Sequence, residues 1–82
     1  MTNITDLRDL ALLSDLVNGE HRSKMTGITI KQFKLDRTAS AIHRRLQYLE
    51  SKGFVCRGFR LANADTYYVT PEGINFYMEA VD

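Results

Sequence analysis

The chain has a single cysteine, a single proline and no tryptophan in 82 residues. One cysteine, Cys56, excludes an intramolecular disulfide. It sits in the apolar run Phe54-Val55-Cys56, where a buried structural thiol and a redox-active thiol are both open readings. No Cys or His cluster has the spacing of a zinc site. The lone proline, Pro71, excludes a proline-rich linker, and no low-complexity tract or internal repeat interrupts the chain. No apolar run approaches the ~18 residues that a bilayer span needs. Residues 1–9 offer no positively charged leader start, so the expected compartment is the cytoplasm and no membrane partner is expected. Paired catalytic carboxylates, a nucleophile elbow and a glycine-rich phosphate loop are all missing, and His21 and His43 lack an obvious acid or thiol partner. The expectation is a protein that is not an enzyme and takes no cofactor.

What is present is ordinary globular composition, 44% hydrophobic and 26% charged, in a chain expected to form one domain over residues 1–82. A domain this small buries roughly 60% of its unfolded surface, so its core is thin. The net charge is only +1, but the charge is unevenly placed. Residues 20–60 hold ten of the eleven Lys and Arg against three acids, a balance of +7, while residues 1–19 and 61–82 carry −2 and −4. A basic middle between acidic ends fits one face that meets a polyanion, with a scattered, solvated set of charges as the alternative.

Hydrophobic spacing orders the elements. Thr5 is a candidate N-cap, with Asp6 and Asp9 in the first turn, for a helix whose stripe reads Leu7, Leu10, Leu13 and Val17 and which stops at Gly19. Leu12 and Leu16 fall off that stripe, which leaves a second apolar side for a partner chain to cover. Residues 20–27 read as a loop. A short helix capped by Thr29 follows, with Ile30 and Phe33 inward, then a turn at 34–36 in which Asp36 can cap the next helix. That helix, 37–52, carries Ile42, Leu46 and Leu49 at i, i+4 and i+7, extended by Ala39, and ends at Gly53. Arg37, Ser40, Ala41, Arg44, Gln47 and Tyr48 point away from the stripe. Residues 54–60 and 66–70 are strand-like, with 61–65 as a hairpin tip. Thr70-Pro71 opens a last helix with the stripe Ile74, Tyr77, Met78 and Val81. Helix, helix, helix, hairpin, helix, with a tight turn between the second and third, is the winged helix-turn-helix arrangement, an α+β fold.

Three stretches resemble winged-helix transcriptional regulators of the MarR and PadR type. Residues 46–55, Leu-Gln-Tyr-Leu-Glu-Ser-Lys-Gly-Phe-Val, are similar to the "LE-x-KG" ending of their recognition helix. Residues 37–46 resemble its small-and-basic start, and Tyr67-Tyr68-Val69-Thr70-Pro71-Glu72-Gly73 resembles the "Y-x-L-T-P-E-G" that closes the wing. The resemblance implies sequence-specific binding of double-stranded DNA by a small transcriptional regulator, and Arg44 matches the arginine that the family places in the groove.

The residue types suit that expectation. A major groove ~12 Å wide admits one helix, and Ser40 and Ala41 would let its backbone approach the bases while Arg44 reads guanine O6 and N7. His43 and Gln47 flank it. Thr38 and the amides at the helix start face a phosphate, and Lys31, Lys34, Arg37 and Arg45 are candidate phosphate contacts. Arg57 and Arg60 lead to the wing tip and the neighbouring minor groove. Against these stand plainer readings: Arg44 as a solvated charge, His43 as a surface histidine, Tyr48 packed at the edge of the wing, Lys52 as a partner of the helix dipole, and Tyr67 and Tyr68 as one core and one surface strand residue. A homodimer through the terminal helices is expected, because Leu12, Leu16 and Phe76 lie off their stripes. The alternative function is a winged-helix protein–protein interaction module that grips an acidic surface.

Overall fold

A computed structural model describes residues 7–81; the Thr5 cap and Asp6 lie outside them. The elements run α1 (Leu7–Asn18), β1 (Ile28–Thr29), a 3-10 turn (Ile30–Gln32), α2 (Ala39–Ser51), β2 (Val55–Arg57), β3 (Thr66–Val69) and α3 (Pro71–Val81). The antiparallel sheet has the order β1-β3-β2, with Ile28 opposite Tyr67 and Val55 opposite Val69. Helices α1, α2 and α3 close over it, and the fold is a winged helix-turn-helix whose wing is the β2–β3 hairpin.

Helix α1 is rotated relative to the expected stripe. Its buried residues are Asp9, Leu12, Leu13, Leu16 and Val17, an unbroken i, i+3, i+4, i+7, i+8 face, whereas Leu7 is 79% exposed. A charged residue occupies the first position of that face and hid its phase. Leu12 and Leu16 are therefore core residues, and they leave no second apolar side. The helix ends in a Schellman motif: His21 N–H donates to the Leu16 carbonyl at 2.9 Å and Glu20 N–H to Val17 at 3.1 Å. The left-handed position is filled by Glu20, at φ 59°, and not by Gly19.

The expected second helix is a single 3-10 turn preceded by β1, and the Gln32 side chain accepts the Thr29 N–H at 2.9 Å. Two residues carry no alternation, so β1 has no sequence signal of its own. It exists because β3 offers an unpaired edge. Helix α2 begins two residues later than expected. Thr38, not Asp36, is its cap, and its Oγ1 accepts from Ala41 N–H at 3.2 Å. Ile42, Leu46 and Leu49 are buried as expected, while Ala39 is exposed. Gly53, at φ 80°, closes α2 with the same Schellman geometry as α1, Phe54 N–H donating to Leu49 at 3.0 Å.

Thr70 joins wing to helix. Its Oγ1 accepts from Gly73 N–H at 3.0 Å and donates to the Gly53 carbonyl at 2.6 Å. Gly73 is buried because α3 crosses the chain at Phe54, where a Cβ would overlap the Phe54 carbonyl oxygen. Phe76 is not a stray apolar residue. Its ring stacks on Phe54 with centroids 4.5 Å apart. Met78 and Val81, expected on the inner stripe of α3, are 55% and 53% exposed. No helix among the described residues is long and apolar enough to cross a membrane.

Candidate nucleic-acid interface

The face of α2 opposite its core stripe is a row of exposed side chains. Ser40, Arg44, Gln47 and Ser51 follow one another at helical spacing, with Arg37 and Thr38 exposed just before them. Ala41, half-buried, lies at the border of this face, and its amide is committed to Thr38. Lys31 and Lys34 are exposed on the 3-10 turn and just after it. Lys34 is held at the backbone, where its N–H donates to Asp15 Oδ2 at 2.8 Å. The Arg37 guanidinium donates to the Asp36 carbonyl at 2.8 Å.

Three of the expected arginine contacts are placed differently. Arg45 turns inward to Asp9, with its Nε donating to Oδ1 at 2.7 Å and a terminal nitrogen to Oδ2 at 2.6 Å. The reason is Asp9 itself. A carboxylate that is 4% exposed needs a counter-charge and hydrogen-bond donors, and a bidentate guanidinium supplies both. Tyr48 lies beneath the same cation, 4.8 Å from its ring centroid, with the Lys52 ammonium 5.5 Å away. Tyr48 thus packs against the cations of Arg45 and Lys52. In the wing, Arg57 lies 3.5 Å from Glu50 and 3.4 Å from Asp65, and Arg60 lies 3.7 Å from Asp65 and donates to the Asn63 carbonyl at 2.8 Å. Acids flank both wing arginines.

His43 is half-buried on the side of α2 that looks toward the wing. Its Nδ1 lies 3.5 Å from the hydroxyl of Tyr67, which is fully buried. Burial pushes the Tyr67 hydroxyl above its ordinary pKa, with Arg57 pulling the other way. The wing tip is a two-residue turn: Leu61 and Ala64 exchange backbone hydrogen bonds of 2.8 and 2.9 Å around Ala62 (φ 50°) and Asn63 (φ 67°). Asp9, Glu50 and Asp65 are absent from the residues that sequence patterning singles out for this region, whereas Tyr67 is the core member of the Tyr67–Tyr68 pair. The only signal for Asp9 is its helical spacing to Leu12, Leu13 and Leu16.

These features define the class as a winged helix-turn-helix fold whose second long helix, α2, carries an exposed face with one cation, Arg44. No family model and no curated protein matches the chain. Among solved structures, TubR from Bacillus megaterium pBM400 is similar, with a TM-score of 0.82 and 18% identity over 94% of this chain and 87% of that one. At that identity the likeness shows the fold.

Proposed function

We propose that the chain binds double-stranded DNA sequence-specifically, as a small cytoplasmic transcriptional regulator, with α2 in the major groove and the hairpin as the wing. The observation that carries this is the exposed row Ser40, Arg44 and Gln47, directly opposite the buried Ile42, Leu46 and Leu49. A helix anchored on one face that offers small residues and one long donor on the other suits base-edge contact. Lys31, Lys34 and Arg37 surround that row and serve as phosphate contacts. The likeness of residues 37–46, 46–55 and 67–73 to MarR and PadR regulators supports the transcriptional role.

A dimer through the terminal helices remains part of this reading on a new footing. Leu12 and Leu16 are spent on the chain's own core, but Leu7 on α1 and Met78 and Val81 on α3 are exposed apolar residues on those same helices. Two copies joined there would space two recognition helices for a palindromic site. A second function, a winged-helix protein–protein interaction module, is favoured by one observation. The wing arginines have acid partners, and around them Met25, Phe59 and Leu61 are 82%, 60% and 57% exposed.

Selection of bound duplexes from a random DNA pool tests the first reading. A recovered motif whose preference at one position is lost in Arg44→Ala supports it. No enrichment over input, with a stable protein complex formed instead, favours the second.

A further inference from the structure

The segment between α1 and β1 carries two cations that the interface described above does not use. Arg22 and Lys24 are both exposed, and among the described residues neither has an ion-pair partner. Their loop is closely held. Thr26 Oγ1 accepts the amides of Arg22 and Ser23, each at 3.1 Å, and the Thr26 N–H returns to the Ser23 carbonyl at 3.1 Å. His21 Nδ1 donates to the Thr26 carbonyl at 2.6 Å, and the His21 carbonyl accepts the Val69 N–H at 2.9 Å. The loop is also fastened to the wing, where Phe59 N–H donates to the Lys24 carbonyl at 3.1 Å. Gly58 permits that approach, because a Cβ there would lie 2.7 Å from the Lys24 carbonyl oxygen.

The sheet stands between this loop and α2. Thr66 and Tyr67 are consecutive in β3, so their side chains leave opposite faces. The Tyr67 hydroxyl lies 3.5 Å from His43 of α2, whereas Thr66 Oγ1 donates to the Phe59 carbonyl at 2.6 Å, on the side where the loop is docked. The loop therefore flanks the wing on the face turned away from α2. The wing's own arginines are engaged there, Arg57 by Glu50 and Asp65 and Arg60 by Asp65.

We propose that Arg22 and Lys24 form a second phosphate-contact site, which holds the duplex backbone beyond the stretch that α2 and the wing cover. The inference rests on the DNA-binding reading. Two cations without acid partners can each take a phosphodiester oxygen in a charge-assisted hydrogen bond and release a counterion. The loop backbone is ordered in advance, so little further ordering is needed on contact. Met25 and Phe59, 82% and 60% exposed beside Lys24, can lie against the deoxyribose carbons of the same strand. Such a contact lengthens the footprint and adds affinity but reads no bases.

The test compares two duplexes by fluorescence anisotropy over a range of salt concentrations. One is a selected duplex trimmed to its preferred motif, and the other carries about ten further base pairs on each side, roughly one helical turn. The full chain should bind the longer duplex more tightly, with a salt slope steeper by about two units, since each neutralised phosphate contributes ~0.9. Arg22→Gln/Lys24→Gln should lose about tenfold in affinity on the longer duplex, together with the extra slope, and nothing on the trimmed one. Both substitutions are at exposed positions, and an unchanged melting temperature establishes that the variant is folded. Equal affinity of the parent chain for both lengths, or a variant that loses equally on both, overturns the site while the DNA reading stands. A chain that binds neither duplex overturns the DNA reading and this contact with it. Parent binding to poly-L-glutamate that disappears in the variant, with no change on either duplex, overturns the phosphate assignment in favour of an acidic protein segment.

Discussion

Removing either half of the Asp9–Arg45 pair should destabilise the fold, and the two losses should be unequal. Asp9 is 4% exposed and receives two short guanidinium hydrogen bonds, while the Arg45 side chain keeps 26% of its surface in water. If Asp9 becomes Asn, the stranded guanidinium can swing toward solvent, and the cost is about 1–2 kcal/mol, that of a lost charged hydrogen bond with partial rescue by water. If Arg45 becomes Met, the carboxylate stays buried without its guanidinium, and the cost rises to about 3–4 kcal/mol. Loss of the contact with the Tyr48 ring adds to that side. The double variant Asp9→Leu/Arg45→Met replaces the pair with apolar surface and should be more stable than Arg45→Met alone, because no charge is left buried. Urea unfolding followed by circular dichroism gives all three values from the midpoints, provided the slope is unchanged. Losses below about 0.5 kcal/mol for both single variants, or a double variant no more stable than Arg45→Met, would refute the reasoning.

Leu46 is fully buried at the centre of the α2 stripe, and Leu46→Ala should cost about 2–5 kcal/mol by urea unfolding, a large share of the stability of so small a domain. Glu20→Gly should raise the melting temperature, with a gain of about 0.5–1 kcal/mol, because glycine relieves the left-handed strain at the end of α1. Tyr67 is more easily kept neutral in the fold than in the unfolded chain, so its contribution is complete below pH 10 and is lost as pH rises through its raised folded pKa. Stability measured from pH 9 to pH 12 should therefore fall less steeply in Tyr67→Phe than in the parent chain.

The sequence made α2 and the entry to α3 legible because their signals are local. Ile42, Leu46 and Leu49 form an uninterrupted stripe, and Thr70, Pro71 and Gly73 act within one turn of one another. Helix α1 was misphased because Asp9 breaks the hydrophobic pattern at the first buried position, and its partner lies 36 residues away. Strand β1 and the shrinking of the second helix to a 3-10 turn follow from pairing with β3, a tertiary effect that two residues cannot announce. At the site, Ser40, Arg44 and Gln47 are exposed where the helical wheel places them. The engagement of Arg45, Arg57 and Arg60 depends on Asp9, Glu50 and Asp65, whose proximity exists only in the folded chain.

Fluorescence anisotropy of a labelled selected duplex, titrated with the chain across a range of salt concentrations, decides whether the α2 face meets DNA. With Lys31, Lys34 and Arg37 on phosphates, the logarithm of affinity should fall against the logarithm of salt with a slope of roughly −3. Arg44→Ala should lose about 1–3 kcal/mol of specific affinity while its unfolding midpoint stays at the parent value. Binding indifferent to salt, or an affinity unchanged in Arg44→Ala, would contradict the assignment of α2 as a DNA-reading helix.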